Sequence, residues 1–362
     1  MTSPEAPASD PAFRAGQIAC ACPTDTEREA ITDNRLVLTL AFGLAVLAQA
    51  LTLTVIPEQG RLLAPTNAGV GLPFALLLIG AAVASFPATL LIDAFGRRAA
   101  FGLGASLGAA GGALCAFAAT RNNFFALCLG AFWLGLAQGF ALFYRHIAAQ
   151  GSARAALAVF GGGALAAIAT PLAFLIAGDP AKTLLTAGVL HIAALAVVIR
   201  LPHRRDDLVA AHTMQTQKLP EGFIVATLAG ALAWCVMAAG MLHGPLTLAA
   251  CSAGPVFIGG AMGWHLMSMY APAAVAARWP ALFPPYRAMI AGLLLALAGA
   301  DAVYAGVSIG WVTAGLIAIG VGWSIVNVAC LRLLHTGPAP SRRALAAHDF
   351  CLLTAAVAGA LL

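Results

Sequence analysis

"PHRRDDLVAAHTMQTQKLPEG", residues 202–222, is a long polar stretch inside a chain of 362 residues that is 61% hydrophobic and only 9% charged. Its reading decides the architecture because of what flanks it. Before it lie six apolar stretches, at roughly 35–56, 68–92, 99–119, 123–144, 153–177 and 182–201, each long enough to cross about 30 Å of hydrocarbon. After it lie five more, at roughly 222–243, 255–277, 286–305, 308–333 and 343–362. They are too long for barrel strands and show no alternation of period two. Alanine and 38 glycines run through them, the small residues that let membrane helices pack closely. The expectation is an all-α polytopic membrane protein of two helix bundles, six helices plus at least five.

That division gives four parts. They are a polar tail (1–34), an N-terminal bundle (35–201), a linker (202–221) and a C-terminal bundle (222–362). Two bundles joined by a charged loop match the two-half build of secondary transporters. The eleventh stretch ends with the chain, so a twelfth helix is missing from the expected pair of six, and truncation is the expected reason. The tail has no apolar core of a signal peptide. It is Ala-, Pro- and Ser-rich and reads as disordered. Cys20 and Cys22 within it read as incidental thiols, and His203, His212 and Met214 as parts of a solvated linker.

Basic residues orient the chain. Of 19 Lys and Arg, 16 fall on the side of the N-terminus. Only Arg61, Arg121 and Lys182 fall on the other. This bias places the N-terminus in the cytoplasm and the protein in the cytoplasmic (inner) membrane as a multi-pass chain. The net charge of +5 reflects that topology, and nothing suggests a nucleic-acid partner; the bilayer is the expected surround. No nucleophile–base pair, phosphate loop or catalytic zinc set appears, so an enzyme is not expected.

Two short motifs carry candidate chemistry. "MAAGML" (237–242) sets Met237 four residues before Met241, and "GWHLMSM" (263–269) sets His265 four before Met269. Residues at that spacing share a helix face, about 6 Å apart along the axis. Counting rise from the helix ends places Met237 and His265 at similar depth, with Met241 further out and Met269 deeper. Thioether and imidazole suit copper and suit hard cations poorly, and being neutral they bury no permanent charge. Cys235 and Cys251 flank the Met pair as auxiliary candidates. Methionine is also ordinary packing material, and the spacing alone leaves metal handling and packing evenly matched. Asp301 reads as an interfacial cap, His348 and Asp349 as the polar start of the last helix, and Arg145 and His146 as gate-region groups.

"IDAFGRR" (92–98), after the second helix, resembles the cytoplasmic signature of the major facilitator superfamily, with Thr89 where that family usually has Gly. The resemblance implies a gate motif of Asp93, Gly96, Arg97 and Arg98. Physically, Asp93 can accept from a helix N-terminus or from an Arg of the other bundle, and Gly96 permits a tight turn. The matching stretch after helix eight, "YAPAAVAARWP", keeps Pro272 and Arg278 and lacks the acid. "FYRHIAAQ" (143–150), "GGGALAAIATP" (161–171), "WHLMSMYAP" (264–272), "GVGWS" (320–324) and "AHDF" (347–350) are similar to one prokaryotic branch of that superfamily. The Met and His motifs resemble those of the CcoA-type copper importers. That resemblance implies a copper site of Met237, Met241, His265 and Met269 and import by alternating access. It also implies supply of copper, through a cytoplasmic copper-accepting protein, to cytochrome oxidase assembly, with copper as cargo and no resident cofactor. The alternative is a major facilitator transporter of a small organic solute with no metal role.

Overall fold

The computed structural model describes residues 25–149, 152–168, 172, 179–201, 219–336 and 340–362. The segment containing Cys20 and Cys22, and most of the linker with His203, His212 and Met214, lie outside the described residues. Ten α-helices are described: α1 Asp25–Leu63, α2 Leu72–Arg121, α3 Phe124–Ala149, α4 Ala153–Gly161, α5 Pro180–Val198, α6 Phe223–Ala250, α7 Pro255–Arg278, α8 Pro285–Ala305, α9 Ile309–His335 and α10 Arg342–Leu361. Eight of the described helices are long and apolar enough to cross a membrane. No β-strand is described.

The 50-residue α2 holds two of the expected crossings. At Gly96 the backbone leaves the helix, with φ 84° and ψ 167°, a conformation nearly closed to any residue with a Cβ. The chain therefore reverses inside "IDAFGRR". The fifth expected crossing, 153–177, differs from a plain helix. Its α-helix stops at Gly161 and continues as a 3-10 turn over Gly162–Ile168. Three successive glycines lower helix propensity there. They also admit close neighbours: a Cβ on Gly161 would strike Ala274 of α7, and one on Gly163 would strike the ring of Tyr270. The first helix also starts earlier than hydropathy suggests, at Asp25.

Helices α1–α5 pack mainly on one another, and so do α6–α10. The seam between the groups is made chiefly by α10 against α2 and α4 against α7. Within the first group, α2 and α3 touch backbone to backbone, since Gly80, Gly135 and Gly139 leave no room for a side chain. Leu36, Phe125, Ile224 and Leu228 point outward and exposed, as lipid-facing side chains do, whereas the middle of α1 from Ala41 to Ile56 is largely buried.

Candidate functional site

Five helices bring aromatic rings to the seam. Trp323 of α9 sits at the hub. Its ring centroid lies 5.0 Å from Trp234 of α6, 5.8 Å from Phe160 of α4 and 5.9 Å from Tyr270 of α7. Phe42 of α1 completes the group, 5.9 Å from Phe160 and 6.1 Å from Tyr270. Most pairs meet edge to face or tilted, the arrangement that ring quadrupoles favour. Asn327, one turn after Trp323, fixes one of them. It accepts from Trp234 Nε1 at 3.2 Å, and its own amide donates to the Trp323 carbonyl at 2.8 Å. Trp323 Nε1 has no hydrogen-bond partner among the described residues although it is fully buried.

Against this group opens a narrow pocket whose walls include Phe42, Gln49, Thr52, Gln138, His191 and Tyr270. All the lining residues but Tyr270 belong to α1, α2, α3 and α5, so Tyr270 closes the pocket from across the seam. The Gln138 carbonyl oxygen is buried with no hydrogen-bond partner among the described residues. Two aromatic rings, Phe42 and Tyr270, share the pocket walls with the amide groups of Gln49 and Gln138 and the imidazole of His191.

The residues singled out from sequence lie as follows. Met237 and Met241 are buried on α6, and Met269 is buried on α7. His265 is wholly buried, and its Nδ1 lies 2.6 Å from the Leu316 carbonyl of α9. A carbonyl only accepts, so Nδ1 carries the proton and Nε2 presents a lone pair; that Nε2 has no partner among the described residues. Gly320 makes this fit possible, because a Cβ there would strike Ser268 and His265. Helix α6 packs mainly on α9 and α10 and touches α7 only slightly. Cys235 turns its backbone toward Gly359 of α10, and the Cys251 thiol donates to the Gly306 carbonyl at 3.5 Å. Among the described residues, no group of three or more His, Cys, Asp and Glu is arranged to hold a metal ion.

The face that carries the Arg-rich connections is held shut across the seam. Asp93 accepts from Arg342 at the start of α10, and both Arg97 and Arg98 are engaged. Arg154 of α4 donates to the Ala277 and Arg278 carbonyls at the end of α7. Ser152 and Thr336 form an isolated antiparallel β-bridge. Deeper in, Arg145 Nη2 donates to Asp349 at 2.7 Å, and the guanidinium lies 5.3 Å from the Phe160 ring.

The aromatic hub is the part that sequence reasoning missed. One signal was present: Trp234, Tyr270 and Trp323 stand inside apolar stretches, away from the interfacial belts where such rings gather in membrane proteins.

Residues 41–157, about one-third of the chain, match the family model "Sugar (and other) transporter". A relative described as riboflavin transporter RfnT, from Brucella anthropi, is 28% identical over 348 residues, covering 90% of this chain and 87% of its own. Among solved structures, the human organic anion transporter MFSD10 superposes with a TM-score of 0.68 at 16% identity, over 92% of each chain. The xylose transporter XylE from E. coli gives 0.66 at 15% identity, over 92% of this chain and 90% of its own. FucP, described as a Major Facilitator Superfamily transporter, gives 0.56 at 14%, over 91% and 90%. The chain is thus a polytopic helical protein with the major facilitator superfamily fold.

Proposed function

We propose that this protein is a secondary transporter that carries a small, flat, heteroaromatic organic solute, of which riboflavin is the first to test, by rocking two helix bundles about the aromatic hub. The observation that supports this reading is the convergence of Phe42, Phe160, Trp234, Tyr270 and Trp323 from five helices beside a pocket edged by Gln49, Gln138 and His191. Stacking on such rings is worth roughly 0.5–1.5 kcal/mol per pair beyond area burial, and amides can pair with a uracil-like edge. The relative described as a riboflavin transporter, aligned along most of both chains, supports the same class. The Arg-rich face is read as cytoplasmic. Uptake of labelled riboflavin into proteoliposomes tests the reading. The intact chain accumulates label, and Trp323→Ala lowers the rate by about tenfold, the loss of one stacking partner plus the packing around it. Uptake no faster than in empty liposomes would retire it.

A second reading, copper as the cargo, has one observation in its favour. His265 presents a buried Nε2 with no partner among the described residues, its tautomer fixed by Leu316, with Met269 one turn away on the same helix. In that reading Met237 and Met241 on α6 join as soft ligands. The ion passes to a cytoplasmic acceptor for cytochrome oxidase biogenesis. Labelled copper uptake, run beside the riboflavin assay, separates the two.

A further inference from the structure

Where α3, α9 and α10 meet at the Arg-rich face, three histidines, an aspartate and an arginine are sealed together. His146 and Arg145 belong to α3, His335 to α9, and His348 and Asp349 to α10. Arg145, His146, His335, His348 and Asp349 are each at most 5% exposed. His146 Nε2 lies 3.1 and 3.2 Å from the two Asp349 oxygens, and His146 Nδ1 lies 3.0 Å from His335 Nε2. The chain thus runs Asp349, His146, His335, crossing the seam twice.

The protons in this chain follow from its ends. Asp349 is paired with Arg145 at 2.7 Å and is an acceptor, so His146 Nε2 carries a hydrogen and donates to it. In the neutral imidazole, Nδ1 of His146 is then the acceptor, and His335 Nε2 must donate. His335 is left with a bare lone pair on Nδ1. That atom is buried and has no hydrogen-bond partner among the described residues. The cluster therefore holds an open place for one proton. A proton taken at His335 Nδ1 lets the Nε2 hydrogen pass to His146 Nδ1, and the charge comes to rest on an imidazolium against Asp349. No bond other than N–H is made or broken.

We propose that the Asp349–His146–His335 chain is the proton-binding site that couples transport to the proton gradient, and that protonation loosens the seam on the Arg-rich face. The inference rests on the transporter reading above. The sign follows from the neighbours. The groups facing the two imidazoles are Arg145 on α3 and Asp349 with His348 on α10, the last held by Thr227 of α6 at 2.9 Å. From α7 and α9, Tyr270 and Cys330 lie within electrostatic reach of Arg145. One carboxylate already serves one guanidinium. An added imidazolium makes two cations to one anion in a site closed to water, and two of the Arg145 nitrogens already lack hydrogen-bond partners among the described residues. Water entry relieves that charge, and water enters only when α3 parts from α9 and α10. The protonated cluster thus favours the state open at this face. Phe160 of α4 lies against Arg145 and travels with it on the α1–α5 side, so the same motion draws Phe160 away from Tyr270 and Trp323 across the seam.

Hydrogen exchange of the full-length protein in detergent tests the switch without any cargo. After correction for intrinsic rates, amides of residues 142–149 and 343–350 exchange faster as pH falls from 8 to 5.5. The rise is at most about tenfold per pH unit, the limit for one linked proton. His335→Gln and His146→Gln, each of which keeps a donor and cannot take a proton, flatten that dependence. In proteoliposomes the same variants still exchange riboflavin at equilibrium but lose its accumulation driven by an acid exterior. Equal pH dependence in the intact chain and both variants, or none in the intact chain, overturns the proposal. If the intact chain moves no riboflavin, the functional reading falls while the exchange result still decides the proton site.

Discussion

Arg145 and Asp349 form a buried ion pair 204 positions apart in sequence, with side chains only 1% and 2% exposed. Such a pair adds little net stability, because desolvating both charges offsets their attraction, yet breaking it from one side strands a charge. Arg145→Gln should therefore lower stability by about 3–5 kcal/mol, read as a fall in the thermal unfolding midpoint in detergent. Arg145→Gln combined with Asp349→Asn should cost clearly less than the sum of the two single changes, since each removes the charge the other leaves stranded. Additive losses would mean that the groups do not depend on one another. His265 offers a second test at this scale. Asn at 265 keeps a donor near the Leu316 carbonyl and removes Nε2, the ring nitrogen with no partner among the described residues. His265→Asn should leave the unfolding midpoint within a few degrees and riboflavin uptake unchanged, whereas copper uptake, if copper is the cargo, should disappear. The identity of His265 as a candidate was legible from its spacing to Met269. Its tautomer was not, because that depends on a carbonyl 51 residues downstream.

At the scale of elements, hydropathy found the eight described helices that are long and apolar enough to cross a membrane, because burial in lipid demands long apolar helices whatever their partners are. The turn inside "IDAFGRR" was legible for a local reason: only Gly fits a backbone at φ 84° and ψ 167°. Gly96→Ala should cost about 1–3 kcal/mol of local strain, seen as reduced yield and a lower unfolding midpoint, with the helical circular dichroism of the surviving protein unchanged. The break in α4 was less legible. Three glycines alone allow either a weak helix or a 3-10 turn, and the choice is set by Ala274 and Tyr270 pressing from α7. The aromatic hub lies beyond sequence for the same reason. Five rings on five helices carry no spacing in common, and only the packing of α4 on α7 and of α9 on α6 and α7 brings them together.

At the scale of the molecule, the Arg-rich face is closed by several contacts of unequal depth: the Asp93–Arg342 pair near the surface, the Arg154 bonds to the end of α7, and the sealed histidine chain beneath. In the proposed transport cycle, alternating access requires all of them to part together once per turnover. The Ser152–Thr336 bridge gives a handle on that motion. It joins the start of α4 to the end of α9 across the seam, and both side chains are accessible. Paired residues in an antiparallel bridge have Cα atoms about 4.5–5.5 Å apart, within the range that a disulfide spans. A Ser152→Cys, Thr336→Cys double variant should therefore oxidise to an intramolecular crosslink, visible as a mobility shift reversed by reductant. The crosslinked protein should bind riboflavin from the opposite face while net uptake falls at least about tenfold, as expected when one of two required states is removed. Reduction should restore uptake in the same sample, which separates a locked gate from a misfolded chain. Full uptake through the oxidised form would show that this face need not open for cargo to pass, and the rocking of the two helix groups about the aromatic hub would have to be abandoned.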